Sequence, residues 1–251
     1  MHAIPKYPAP GIKFRWLLAF ILAVLAATTD AAEGVNFTAE AEAAYRAALA
    51  AYDTNKHSTA AAVELATRAF DYADLAPNDT IRENTANAGM AIAREVIAKD
   101  TNSVGGHYYL ALNIGQLART KMLGALKLLD DMERELKIVI RLDPKFDYAG
   151  GDRTIGVLYA EAPGFSVGDN AKAKVHLAKA VQIAPEFPDN HLCYMEALAK
   201  WRDWKTLTEK LGEYRAIVPA AKAKFTGPEW GYEWHDWTRR EKVIAGKLQK
   251  R

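Results

Sequence analysis

The sequence predicts an all-α protein in which successive helices stack as pairs. After residue 37, apolar side chains recur at helical steps of three and four, and no stretch alternates in the manner of a strand. Prolines or Asn/Asp-rich turns separate the helical stretches, at Pro77, Pro144, Pro163 and Pro185. Because one amphipathic pair cannot bury its apolar faces alone, neighbouring pairs are expected to cover one another. We expect at least nine helices and no sheet.

Five helices are predicted in the first part of the chain. They span residues 38–53, 58–75, 78–99, 103–120 and 123–142. The clearest start is the Asn78-Asp79-Thr80 sequence, whose side chains suit the first turn of a helix. In the fifth helix, Leu129, Met132 and Leu136 share one face, and that face is expected to be buried.

The helix pair between residues 155 and 184 has the most specific pattern. Ile155, Gly156 and Tyr159 occupy the leucine, glycine and tyrosine positions of the first helix of a tetratricopeptide unit. The second-helix positions are occupied by Ala173, Leu177, Ala180 and Pro185. The loop between the halves is longer than in the standard unit. The pattern predicts a tetratricopeptide-like helical repeat array, an α-solenoid. Gly156 is expected at a close helix contact that tolerates alanine better than leucine.

The pattern is weaker after Trp201. A helix is predicted over residues 204–218, with Pro219 as its end, followed by a loop over 219–231 and a final helix over 238–250. The final helix is basic and has few strongly apolar residues. We interpret it as a capping helix with a polar outer face. A helix that rests on a membrane surface or an acidic partner is the alternative.

The N-terminal 31 residues are predicted to be a secretory signal peptide. Basic residues precede an uninterrupted apolar run from Trp16 to Ala27, and Thr29 and Ala31 suit cleavage before Ala32. The run is shorter than the roughly 20 residues of a membrane span. We therefore expect an exported protein with one helical repeat domain over residues 32–251 and no stable membrane span. An uncleaved N-terminal anchor is the alternative.

The charge balance and the cysteine content argue against a nucleic-acid-binding protein and against a disulfide-stabilised fold. Removing residues 1–31 takes away three basic residues and one acidic residue, so the totals of 33 and 31 become 30 and 30. This balance gives no electrostatic reason to expect nucleic acid as a partner. The single cysteine, Cys193, excludes an internal disulfide, and its apolar neighbours predict a buried residue without reactivity.

Candidate site residues are scattered along the chain, with no catalytic motif or metal-ligand spacing among them. Five residues are predicted to bind a ligand or partner: Arg153, Tyr159, His176, Trp201 and Trp204. The alternative is structural, because a packed histidine and core aromatic residues are common at helical spacing. No cofactor is expected.

The segments GGDRTIGVLYAEAP, GDNAKAKVHLAKAV and PEFPDN resemble the T-component family of TRAP transporters. The resemblance implies a tetratricopeptide-like periplasmic protein that works with a solute-binding protein, and some members form oligomers with an apolar channel. The matching positions are Gly150, Arg153, Gly156, Tyr159, Gly168, Asp169, Ala173 and Asn190. No cysteine lies directly after the apolar run, where lipid attachment would require one.

Two functions follow from these patterns. The first is a non-catalytic exported adaptor that holds a partner protein or an apolar small ligand, with a homo-oligomer as a further possibility. The second is an exported enzyme whose site is assembled from Asp152, Arg153, Glu161 and His176. An apolar surface supports binding, whereas converging acids and bases support catalysis.

Overall fold

The computed structural model describes residues 36–121 and 124–249, which form ten α-helices and one short 3₁₀ helix, with no strand in these ranges. The predicted signal peptide and its cleavage site lie outside the described residues. The all-α fold is confirmed. The helices are α1 (Phe37–Thr54), α2 (Thr59–Asp74), α3 (Asp79–Lys99), α4 (Val104–Ala118), α5 (Ala125–Leu142), α6 (Phe146–Glu161), α7 (Asn170–Ile183), α8 (Pro188–Lys200), α9 (Trp204–Lys224) and α10 (Gly231–Gln249), with the 3₁₀ helix at Pro228–Trp230.

The helices group into two compact units that divide within α5, between Met132 and Glu133. In the described part of the first unit, α1 packs on α2, α2 on α3, and both α2 and α3 on α4. In the second unit, α6 packs on α7, and α8 packs on α7, α9 and α10. Helices adjacent in sequence are thus packed as pairs. The single domain over residues 32–251 stays a prediction.

Side-chain caps set the starts of most of these helices. Each cap accepts a hydrogen bond from a backbone N–H of the first turn, which has no partner within the helix. The caps are Asn36, Ser58, Asn78, Ser103, Asp169 and Asp203. Local sequence therefore determines where these helices begin.

A buried asparagine joins three helices in the first unit. Asn113 on α4 has no exposed surface, and its Nδ2 donates to the carbonyl oxygens of Ala66 (3.0 Å) and Tyr109 (2.8 Å). Gly89 on α3 faces the same amide, where an added Cβ would lie 2.4 Å from Asn113 Oδ1. The side-chain amide of Asn113 thus occupies the space that a side chain at position 89 would fill. The same amide donates a hydrogen bond to the Ala66 carbonyl of α2.

In the second unit, the predicted close contact at Gly156 is present. A Cβ built on Gly156 would lie 2.7 Å from Leu177 Cγ and 3.1 Å from the backbone nitrogen of Leu177. These atoms are a branch point and main chain, which cannot move aside as easily as the end of a flexible side chain. Even one methyl group therefore has no room at position 156, and the expectation that alanine is tolerated better than leucine stays a prediction.

We predict that Gly156→Ala lowers the free energy of unfolding by about 1–2 kcal/mol, because the cost of overpacking exceeds the gain in helix propensity. Gly212→Ala is the matched control. Gly212 is exposed on α9 with no atom within 4 Å of an added Cβ, so alanine there should stabilise by up to about 1 kcal/mol. Denaturant unfolding of both variants measures the difference. Equal stabilisation by the two substitutions would contradict the contact.

The sequence-based boundaries near the C-terminus were wrong. Pro219 does not end α9, which continues to Lys224, and α10 begins at Gly231 rather than at residue 238. Proline removes one helical hydrogen bond and favours a break. Here Ala221 and Phe225 are both 1% exposed. Burial of these residues beyond Pro219 explains why the helix continues despite the local preference.

Candidate functional site

The helix pair α6–α7 carries three of the five residues predicted to bind. Arg153 and Tyr159 lie on α6, and His176 lies on α7. Residues 162–169 connect the two helices, and Asp169 caps α7 by accepting hydrogen bonds from the backbone of Ala171 (2.9 Å) and Lys172 (3.0 Å). One helix pair therefore contains three of the five predicted binding residues.

Arg153 holds an unusual backbone turn at the start of α6. Asp147, Tyr148 and Ala149 are left-handed, with φ of 52°, 55° and 65°, a conformation that costs roughly 1–2 kcal/mol per residue. Arg153 Nη1 donates to the carbonyl oxygens of Asp147 (3.2 Å) and Tyr148 (3.3 Å), and its Nη2 lies 2.7 Å from Asp147 Oδ2. Asn190 Nδ2 also donates to the Tyr148 carbonyl, at 3.0 Å. Arg153 is only 2% exposed. Its guanidinium therefore stabilises the left-handed turn.

Asp189 extends this buried network to a second arginine. Its Oδ2 lies 3.2 Å from Arg153 Nε, and its Oδ1 accepts a 2.6 Å hydrogen bond from Arg240 on α10. Burial alone would lower the pKa of Arg240, but Glu196 and Asp189 raise it well above its usual value. Arg240 also donates to the sulfur of buried Cys193, where burial raises the thiol pKa. Cys193 is buried, as the sequence predicts, and its low reactivity stays a prediction.

Tyr159 is buried, and its hydroxyl has a partner within the chain. The hydroxyl donates a 2.6 Å hydrogen bond to Glu133 Oε1, which is 2.8 Å from Lys137 Nζ. Burial and then the Glu133 hydrogen bond raise the pKa of Tyr159 far above its usual value. Lys172 Nζ lies 5.4 Å from the centre of the Tyr159 ring. Tyr159 thus packs between α5 and α7 as a neutral phenol.

His176 and Lys179 on α7 both bind the buried carboxylate of Asp152. His176 Nδ1 lies 2.8 Å from Oδ1, and Lys179 Nζ lies 3.0 Å from Oδ2. The His176 ring is 5.6 Å from the Tyr159 ring, so the structure brings these two predicted residues together. Asp152 is fully buried, however, and its two partners cover it. A substrate would have to displace an ion pair to reach this carboxylate.

The two predicted tryptophans lie at the α8–α9 turn. Trp201 follows the last residue of α8, and its backbone N–H donates to the Ala197 carbonyl at 2.9 Å. Trp204 is the first residue of α9, and both side chains are half-buried. The indole Nε1 of Trp201 is buried without a hydrogen-bond partner. The larger aromatic cluster of this unit is formed by other residues: Tyr148, Phe187, Phe225, Trp230 and Trp237.

The α6–α7 loop carries an exposed aromatic residue that the sequence analysis missed. Phe165 is 82% exposed, the highest value among the large hydrophobic residues described as exposed. The loop around it is held by backbone hydrogen bonds, from Ser166 to Pro163 at 2.9 Å and from Asp169 to Tyr159 at 2.9 Å. The sequence does contain one signal for this exposure. Phe165 is an apolar residue in a loop between Gly164 and Gly168, where polar residues are usual.

His191 is a buried histidine that makes stability depend on pH. Its Nε2 donates to the Pro185 carbonyl at 2.7 Å, and burial lowers the pKa of His191. The pKa of an unfolded histidine is about 6.5. Below this pH the unfolded chain binds a proton at His191, whereas the native state binds it less readily. The free energy of unfolding should therefore fall as pH decreases through about 6.5.

We predict that His191→Gln makes the pH dependence of unfolding shallower between about pH 7 and 5, because glutamine can still donate to Pro185 but does not titrate. His57→Gln is the control, since His57 is exposed. Urea unfolding at a series of pH values measures both slopes. The same slope in His191→Gln and in the parent would show that His191 is not the titrating group.

A family model described as the TRAP transporter T-component matches residues 23–225. The chain belongs to the TRAP transporter T-component family. This confirms the resemblance drawn from the motifs between Gly150 and Asn190. The match to the T-component model ends at Phe225, directly after α9, so that the 3₁₀ helix and α10 lie beyond it.

The T-component chain also resembles a solved structure, that of a thermophilic TPR protein from Thermus thermophilus. The TM-score is 0.58 at 18% identity, with 82% of this chain and 91% of that chain covered. At this identity the likeness shows the fold alone, and it confirms the tetratricopeptide-like prediction. No curated protein matches the chain.

Residues 36–121 and 124–249 include no helix with the length and apolar character needed to cross a membrane. They also contain no group of three or more histidine, cysteine or acidic residues that could hold a metal ion.

Proposed function

We propose that this T-component protein is an exported, non-catalytic adaptor that binds the solute-binding protein of a TRAP transport system. The family match over residues 23–225 carries the proposal, because it associates the chain with this class of transporter. The paired helices support a binding role, since stacked helix pairs offer extended surfaces to partners. An apolar small ligand is the other occupant that we consider.

The surroundings of the candidate catalytic residues favour binding over catalysis. The enzyme alternative needs Asp152, Arg153, Glu161 and His176 to converge on one substrate. Arg153 is buried against the left-handed turn, and Glu161 pairs with Lys200 at 3.0 Å. Only Asp152 and His176 meet, and Asp152 is fully buried. If His176→Gln abolished a hydrolytic activity of the purified protein, the enzyme alternative would replace this proposal.

Calorimetric titration of the purified protein with the solute-binding protein from the same TRAP system tests the proposal. We expect saturable binding with a dissociation constant in the micromolar range or tighter, which corresponds to about 8 kcal/mol or more. A solute-binding protein from an unrelated transport system is the control and should not bind. The proposal fails if neither protein binds at concentrations up to about 100 μM.

We further propose export to the periplasm with removal of the N-terminal segment. The basic, apolar and small-residue order of residues 1–31 supports this proposal. Mass spectrometry of the envelope form is expected to give a new N-terminus between Ala31 and Gly34. An intact Met1 in that fraction would favour the N-terminal anchor instead. Sedimentation velocity of the same material tests the proposed homo-oligomer.

A further inference from the structure

The loop between α6 and α7 presents Phe165 on a fixed backbone. Ser166 and Gly168 both donate to the Pro163 carbonyl, at 2.9 and 3.2 Å, which closes the loop on itself. At Gly168 a Cβ would lie 2.0 Å from the Ala162 carbonyl oxygen, so the backbone there packs against the end of α6. A preorganised loop loses little conformational entropy on binding. Phe165 is therefore suited to anchor an interface.

The outer face of α7 continues this surface with a characteristic composition. Ala171, Lys174, Val175, Ala178 and Gln182 recur at helical spacing and are exposed, and Val175 is 64% exposed. Helix α7 contains lysines but no acidic residue. The face therefore combines apolar side chains with the ammonium groups of lysines.

Each lysine of this face pairs with a carboxylate that is less exposed than the lysine itself. Lys172 and Lys174 lie 3.6 Å from Asp169 and Asp203, but these carboxylates are less exposed, at 34% each, than the lysines at 60% and 54%. Lys179 pairs with Asp152, which has no exposed surface. The ammonium groups are therefore the outermost charges. A partner that docks here should have an apolar recess surrounded by carboxylates.

We propose that Phe165 and the outer face of α7 form the docking surface for the solute-binding protein, whose complementary site is an apolar pocket with an acidic rim. This proposal rests on the proposed function, and it adds where on the chain the solute-binding protein docks. A two-fold contact with a second copy would bring the lysines of α7 against themselves. That repulsion argues for a different partner protein of opposite charge.

Calorimetric titration with the same solute-binding protein tests the location. Phe165→Ser should weaken binding by at least about tenfold, as expected for an aromatic anchor at the centre of an interface. Val243→Ser is the control, because Val243 is also an exposed apolar residue (50%) but lies on α10. It should change the affinity by less than about twofold. Raising the salt concentration should weaken the parent complex, because the charges at the interface are screened.

The outcomes separate this inference from the proposed function. If the parent binds and Phe165→Ser binds equally well, the location is wrong and the function stands. If the parent does not bind, both fail. If sedimentation velocity shows an oligomer of the parent that Phe165→Ser dissociates, the occupant is a second copy and the proposal is overturned. Flotation with anionic vesicles that depends on Phe165 would overturn it in favour of a lipid surface.

Discussion

Replacing Arg153 with methionine is expected to lower the free energy of unfolding by about 3–5 kcal/mol, the usual cost of removing one partner from a buried ion pair. The substitution removes the guanidinium from the carboxylates of Asp147 and Asp189, which are 2.7 and 3.2 Å away. It also removes the Nη1 group, which donates to both carbonyls of the left-handed turn. Since whole domains are stable by only about 5–15 kcal/mol, this loss would be large.

The matched control for this prediction is Arg215→Met. Arg215 also binds a carboxylate through two nitrogens, at 2.9 and 2.6 Å from Glu241 Oε1, but its side chain is 59% exposed. An exposed pair of this kind contributes less than about 1 kcal/mol. Urea unfolding of both variants gives the comparison. Similar losses for Arg153→Met and Arg215→Met would contradict the role assigned to the buried network.

Asn113→Asp is expected to destabilise the first unit by a comparable amount, about 3–5 kcal/mol near neutral pH. The substitution hardly changes the shape, but it puts a carboxylate oxygen where Nδ2 now donates to the carbonyls of Ala66 and Tyr109. The other oxygen, against Gly89, has no hydrogen-bond donor. Burial beside carbonyl oxygens would favour the protonated acid, so the folded-state pKa of this aspartic acid should be raised.

The pH dependence provides a second test of the same variant. Because the native state would hold a proton that the unfolded chain releases above about pH 4, the destabilisation should grow as pH rises and shrink in acid. Asn102→Asp is the control, since Asn102 is exposed before α4 and its change should stay within about 0.5 kcal/mol. Thermal melts at acidic and neutral pH measure both effects. A pH-independent loss in Asn113→Asp would show that packing, and not charge, is responsible.

Helix positions could be predicted because they depend on local signals. Capping side chains such as Ser58 and Asn78 mark helix starts within the sequence itself. The face of α5 that contains Leu129, Met132 and Leu136 is buried as its spacing predicts. The same local reasoning failed at Pro219, where the burial of Ala221 and Phe225 outweighs the local preference of proline for a helix end.

The candidate site was less predictable, because it depends on contacts between distant residues. The left-handed turn at Asp147–Ala149 has no glycine to indicate it, and one of its supports, Asn190, is 42 residues from Tyr148. Sequence spacing could place Arg153 and His176 on helices, but could not show that Arg153 is buried. Phe165 was missed because a loop has no periodicity from which exposure can be inferred.

Hydrogen exchange of the protein with and without the solute-binding protein tests the central claim most directly. If the T-component protein is an adaptor that docks through the α6–α7 loop, amides in residues 164–171 should exchange more slowly in the mixture. Amides in residues 235–249 of α10 should be unchanged. A mixture in which no part of the chain changes its exchange rate would contradict the account.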